Sequence, residues 1–174
     1  DGSVIQQLYF FTGSMTVKQL ALLASSPSRL YTPARASVAA VLRRRGPQGR
    51  IELLLIQRVA SKRDRWSAQV ALPGGRVEEG ESDLAAAVRE CHEEVGLDLR
   101  DAHFCLLGQL DDRMATTKMS VATVVFEQLV TSHANSDFPS SGSNEDVALD
   151  LQPHEVACAW WVPVDGLCED EVVE

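Results

Sequence analysis

Apolar positions along the chain change their period several times, and each change marks an element. Thr16 is placed to cap a short helix through Val17–Leu23, which the Ser25-Ser26-Pro27 stop ends. Ser37–Leu42 and Ile51–Arg58 are apolar runs of strand length, joined by the segment from Arg43 to Arg50. Gly46, Pro47 and Gly49 at that joint predict a hairpin, with Arg43-Arg44-Arg45 in its solvated turn. Gln69–Leu72 reads as a short strand running into Pro73-Gly74-Gly75 and then into a loop that ends at Gly80. Ser82–Val95 has the clearest helical period, and Gly96 stands where a helix ends. His103–Leu110, Met119–Leu129 and Val156–Val162 are further strands, while Thr131–Leu149, rich in Ser, Asn, Asp and Gly, reads as a mobile loop. A last helix is expected to begin near Val164 and to be cut short at Glu174. Regular alternation of strand and helix is absent, which argues against a doubly wound sheet.

Composition adds a domain count. The chain has 174 residues, 45% hydrophobic and 24% charged, the ordinary mix of one globular domain. Residues 1–14 resemble a protease-site linker placed before Met15, so they are set aside as a tag or leader. Residues 15–174 are read as one domain. No apolar run approaches the roughly 20 residues that cross a bilayer. The formal net charge of −9 argues against duplex nucleic acid but leaves room for an anionic substrate bound through cations. Cys91, Cys105, Cys158 and Cys168 are scattered, as reduced thiols of a cytosol-like compartment would be.

The helix changes the picture most. With Glu90 at the origin and about 100° per residue, Glu93 and Glu94 fall near roughly −60° and +40°, on one face. Leu84, Val88, Cys91 and Val95 form the stripe beside them that would dock on a sheet, and Ala85-Ala86-Ala87 leave room around the acids. Like charges three and four apart cost about 0.2–0.5 kcal/mol per pair. They also sit in the C-terminal half, where the helix dipole disfavours anions. A hard divalent cation would remove both penalties. Acidic residues on a helix are usually just a solvated face, and these three alone would be read so. The segment before them shifts that balance: Glu81 precedes the candidate cap Ser82, and Arg89 can pair with Glu81 or another acid.

Gly75, five residues, Glu81, seven residues, Arg89-Glu90, Cys91, His92, Glu93-Glu94, Val95, Gly96 and Leu97 together resemble the Nudix box at every fixed position. The single departure is Cys91 at an aliphatic place, where a buried thiol serves as a small hydrophobe. The flanking strand order extends the resemblance over most of Arg35–Leu167. The resemblance implies an α/β fold, a Nudix-type α/β/α sandwich with a mixed β-sheet, and hydrolysis of a pyrophosphate bond with Mg²⁺ or Mn²⁺. It also implies roles. Glu90, Glu94 and Glu93 would be metal ligands and catalytic residues, with the Gly74 carbonyl as a further donor and Arg89 beside them; Gly75, Glu81 and Gly96 would support them. The general base would be Glu90 or an acid outside the box, among Glu145, Asp146 and Glu155. His92 points away from the acidic arc and is read as structural or exposed.

The stretch from Leu54 to Gly75 resembles coenzyme A pyrophosphatases of the same family, through Leu54-Leu55, Arg58, the basic cluster Lys62, Arg63 and Arg65, Gln69-Val70-Ala71 and Pro73-Gly74-Gly75. It departs at Ala68, Leu72 and Trp66, and by one residue of spacing after Arg58. The implied substrate is coenzyme A or a derivative, with Arg58, Arg63, Arg65 and Trp66 as substrate-binding residues. ADP-sugars, dinucleoside polyphosphates and damaged nucleoside triphosphates are the alternatives, and a catalytically dead nucleotide-binding module is the alternative of another class. The expected partner is a small-molecule pyrophosphate, with no duplex nucleic acid and no membrane, homodimerisation left open, and a cytoplasmic location with organellar targeting left open too.

Overall fold

The computed structural model describes residues 28–61, 66–115, 118–129 and 147–165. The expected helix at 17–23, the leader, most of the 131–149 loop and the last helix lie outside these residues. Eight strands form a single mixed sheet: β1 (Arg35–Arg45), β2 (Arg50–Arg58), β3 (Val70–Ala71), β4 (Gly74–Arg76), β5 (Phe104–Gln109), β6 (Arg113–Met114), β7 (Ser120–Gln128) and β8 (Val156–Pro163). Among the described residues one helix, α1 (Asp83–Val95), packs on the sheet.

β1 is central. Along one edge it runs parallel to β7, and β7 continues to β5 and β6 by antiparallel pairing. Its other edge is shared. Leu42–Arg45 pair with β2, whereas Ala36–Val38 pair with β4. β2 in turn gives Ile56 and Gln57 to β3 and pairs along its length with β8. β1 and β2 therefore fork, and the segment from Val70 to Arg76 fills the fork, changing partner at Leu72-Pro73. The Pro73 carbonyl still accepts from Ala39 N–H at 2.8 Å. Proline, with no N–H to satisfy, suits the point where one ladder stops and another starts.

This corrects two sequence readings. Gly74 and Gly75 belong to a strand rather than to the loop, because pairing with β1 satisfies their backbone. Arg43–Arg45 lie in β1 rather than in the turn. Arg43 reaches Glu52 at 2.7 Å and stacks over Trp161, and Arg44 reaches Glu127 at 2.9 Å, so cross-strand acids hold them in the sheet. The hairpin itself stands, closed at Gly46–Gly49. β6 has too few residues to leave a periodic trace in the sequence.

Alternation along the strands sends Ala39, Val41, Leu54, Ile56, Val124 and Phe126 toward α1, where Ala87, Val88, Cys91 and Val95 meet them. The opposite face buries Ala40, Leu42, Leu53, Leu55 and Val125 as fully. Both faces are thus covered, as a layered sandwich requires. Leu84, expected in the docking stripe, is 40% exposed, and Ala86 and Ala87 are fully buried instead. The helix approaches β1 so closely at its start, where Ser37 Oγ donates to the Asp83 carbonyl at 2.7 Å, that methyl groups fill the gap. Cys91, Cys105 and Cys158 are free thiols, and no helix among the described residues is long and apolar enough to cross a membrane.

Both helix ends follow the sequence. Ser82 is extended and its hydroxyl accepts from Ala85 N–H at 3.1 Å; Gly96 closes the helix at φ 74°. A Cβ at Gly96 would also sit 2.8 Å from Asp150 Cβ. Ser82→Ala is therefore expected to cost about 1 kcal/mol. Gly96→Ala combines a left-handed backbone with that clash and should cost about 2 kcal/mol or more. Urea denaturation of the two variants checks the order, which reverses if Asp150 simply gives way.

Candidate metal-binding and active site

The acidic residues of α1 face three different surroundings. Glu94 points into the junction between helix and fork and is 1% exposed. Its Oε2 accepts from Gly74 N–H at 2.8 Å, and Arg58 Nη1 stands 3.4 Å from Oε1. One turn earlier, Glu90 lies against Gly75, so closely that a Cβ at residue 75 would overlap its carboxyl group. A Cβ at Gly74 would fall 2.6 Å from Val38 Cα. Both glycines are thus needed for space: one lets β4 reach β1, the other lets Glu90 reach β4. Glu93 is separate. Its side chain is 55% exposed on the outer flank of the helix.

Arg89 ties these acids to the entering strand. Its Nε and Nη2 donate to the two oxygens of Glu81, each at 3.0 Å, and Nη2 also donates to the Arg76 carbonyl. Nη1 serves Glu90 at 2.9 Å and Glu93 at 3.1 Å. The Arg89 bonds hold the Glu81 carboxyl below the usual carboxylate range. Glu81 also accepts from Glu78 N–H at 3.0 Å, so the expected supporting role has a geometric basis: Glu81 and Arg89 bind the loop between β4 and α1 to the helix.

Burial dominates elsewhere. Desolvation pushes Glu94 up to about 7, against the lowering effects of Gly74 N–H and Arg58. It raises Glu90 as well, in spite of Arg89, and the charges of Glu93 and Glu155 add to that. Glu155, exposed just before β8, is the acid outside the box that acts electrostatically on both. Its backbone accepts from Val59 N–H at 2.8 Å, one residue after Arg58. Glu145, Asp146, Arg63 and Arg65 lie outside the described residues. Trp66 is half-buried in the turn before β3.

The three carboxylates are not gathered as one ligand set in this conformation. Among the described residues no three acidic, histidine or cysteine side chains stand together as a metal site. Glu90 and Glu94 share the junction, and Glu93 turns toward Arg89. What the structure places at Gly74 is its N–H on Glu94. A groove of about 520 Å³ along the outer flank of α1, over Leu84, Val88, Leu106 and Phe126, meets this constellation only through Arg89 and Glu93.

Sequence reasoning missed one group. Arg35, the first residue of β1, donates to both oxygens of Asp83, at 2.5 and 2.8 Å, and to both of Asp112, at 2.7 and 3.0 Å. Asp83 also binds Arg29 and Gln109, and its carboxyl is held low chiefly by Arg35. This clamp fixes the start of α1 to the start of β1, and thereby the helix register over the fork. An arginine opening an apolar run and an aspartate in the first helical turn were the visible signals, but nothing local joined them.

Comparison with known proteins fits this geometry. The family model described as NUDIX domain matches residues 33–173. An uncharacterized protein of Schizosaccharomyces pombe is 40% identical over 116 residues, 66% of this chain and 32% of its own length. Nudix hydrolase 15, mitochondrial, of Arabidopsis thaliana is 37% identical over 98 residues, 56% of this chain and 31% of its own. The chain thus spans about a third of the length of these relatives. In fold, the crystal structure of a Nudix hydrolase from M. smegmatis, RenU, superposes with a TM-score of 0.56 at 19% identity, over 82% of this chain and 78% of that one. With the intact motif on a buried, glycine-lined junction and a family model matched along most of its length, this chain belongs to the NUDIX domain family.

Proposed function

We propose that the protein is a divalent-cation-dependent pyrophosphohydrolase acting on a nucleoside diphosphate-linked substrate, and that this substrate is coenzyme A or a derivative. The observation that carries the reading is the Glu90–Glu94 pair in the junction. Two desolvated carboxylates, the deeper of them raised further by the charge of the other and held by Arg58 at only 3.4 Å, form an oxygen donor set suited to a hard cation. Glu90 and Glu94 would hold Mg²⁺ or Mn²⁺, with Glu93 and the Gly74 carbonyl as further donors. When bound, the cation supplies neutralisation of charge on the phosphate groups.

The chain's own residues do the rest. Arg89 keeps Glu90 from swinging out and keeps Glu81 on the loop. A water oxygen would attack phosphorus, the bridging P–O bond would break, and the water proton would pass to a carboxylate, Glu90 or Glu155, whose charge is felt at both Glu90 and Glu94. Arg58, at the end of β2, would meet a phosphate, with Arg63, Arg65 and Trp66 following in the segment that resembles coenzyme A pyrophosphatases. The Arabidopsis relative named as a Nudix hydrolase supports the activity, and its mitochondrial name keeps an organellar matrix beside the cytoplasm as the location.

A panel of coenzyme A, ADP-ribose, NADH and diadenosine polyphosphates with Mg²⁺ or Mn²⁺, read by product mass, tests the substrate. Coenzyme A should yield 4′-phosphopantetheine and 3′,5′-ADP. Glu90→Gln should lower kcat by about 10²-fold or more, since it keeps shape and removes the charge. Tight nucleotide binding without cleavage of anything in the panel would favour a binding module instead.

A second prediction concerns stability without metal. Below about pH 4.5 the Glu94 carboxyl is protonated in both folded and unfolded chains. Between about 4.5 and about 7 the unfolded chain releases the proton while the folded one keeps it, so stability falls as pH rises. The loss should reach about 3 kcal/mol above that window. Glu94→Gln should abolish it, leaving the metal-free variant the more stable protein at pH 8, and should also abolish the rise in Tm that Mg²⁺ gives the parent. Urea denaturation across pH 5–8 in EDTA checks the first part. An equal pH slope in parent and variant would show Glu94 to be solvated.

A further inference from the structure

Arg58 continues the inward-facing positions of β2. Leu54 and Ile56 bury themselves under α1, and Arg58, two residues on, lies on the same face beyond the core, where it meets Glu94. A bulge falls at this point: the register with β8 slips between Gln57 and Arg58. The backbone of Arg58 is nonetheless fixed, since its N–H donates to the Gln69 carbonyl at 3.0 Å. The guanidinium thus belongs to the junction by construction and is not a surface side chain that has folded over.

Its contact with Glu94 is of a particular kind. At 3.4 Å it is longer than the roughly 2.7–2.9 Å of a charge-assisted hydrogen bond, whereas Gly74 N–H binds the other oxygen at 2.8 Å. The side chain of Glu94 is 1% exposed and that of Arg58 29%, so one partner is locked while the other opens to solvent. A buried carboxylate left without a cation is costly, and a contact as long as this one is the form of compensation that can be exchanged.

We propose that Arg58 is a resident counter-ion of Glu94 that a divalent cation displaces, so that Arg58 sets the metal concentration at which the site fills. This rests on the reading of Glu90 and Glu94 as metal ligands. The exchange frees the guanidinium on the solvent side of the same junction, where it can meet a phosphate anion. Metal affinity is then a competition between two cations for Glu94 Oε1. A weaker resident cation means tighter metal.

The test is Mn²⁺ affinity, measured by the EPR signal of free Mn²⁺, for the full chain and two variants. Arg58→Met removes the competing charge and should tighten Mn²⁺ binding by about tenfold, the scale expected for one charge withdrawn a few ångströms from a partly buried ion. Arg58→Lys keeps the charge and should stay within about twofold of the parent, by the same reasoning. Weaker or unchanged Mn²⁺ binding in a folded Arg58→Met protein would overturn the proposal and show that Arg58 only positions Glu94. A parent that binds no Mn²⁺ at all would bring down the metal-site reading, and this proposal with it. Should Arg58→Met not fold, the parent answers alone. Saturating Mg²⁺ should move the Arg58 side-chain NMR signal to its position in Glu94→Gln, and a signal that stays in place overturns the exchange.

Discussion

Two residues without side chains let a charged helix lie against a strand. At Gly74 the backbone of β4 comes close enough to β1 to fill the fork left by β2, and at Gly75 it leaves room for a carboxyl group. A methyl group at either place would push the strand from the sheet or Glu90 from the strand. Several other features depend on this contact. The Gly74 N–H is directed at Glu94 because β4 is a strand, and the alanines of α1 are buried because the helix lies so close.

The helix is then held at its start and its middle by arginines acting on different elements. Arg35 fastens its first turn to β1 and to Asp112, and Arg89 fastens its middle to the loop that precedes it. Each arginine uses paired donors on planar carboxylates, which fixes orientation as well as distance. The helix so held carries Glu90 and Glu94 into the junction, and their raised proton affinity follows from the surroundings they meet there.

Local features were legible in the sequence. Ser82 and Gly96 bound α1 because caps are written within a few residues of the helix they end, and the box residues pointed to the junction because their spacing is helical. The alternation of β1, β2 and β7 was plain enough to place them within a few residues. What escaped notice depends on chain segments far apart. Gly74-Gly75 reads as loop until β1 is beside it. Arg43–Arg45 read as a turn until Glu52 and Glu127 face them. Leu84 fits the apolar stripe by period, yet the tilt of the helix toward Ser37 leaves it out and draws in the alanines. The Arg35 clamp joins residues 48 and 77 positions apart, a separation that no window of sequence spans.

The end of α1 carries one further implication. The carbonyls of Glu94 and Val95, which a helix terminus would leave to water, accept N–H groups from Gln152 and Asp150, each at 3.0 Å. The segment that carries Glu155 is therefore sewn to α1 before it enters the sheet as β8. The stitch lies three residues before Glu155, so main-chain bonds to the helix that carries Glu90 and Glu94 set where that acid enters. Such an arrangement joins acids from distant parts of the chain through main-chain bonds, which a change of side chain at Gln152 or Asp150 leaves in place.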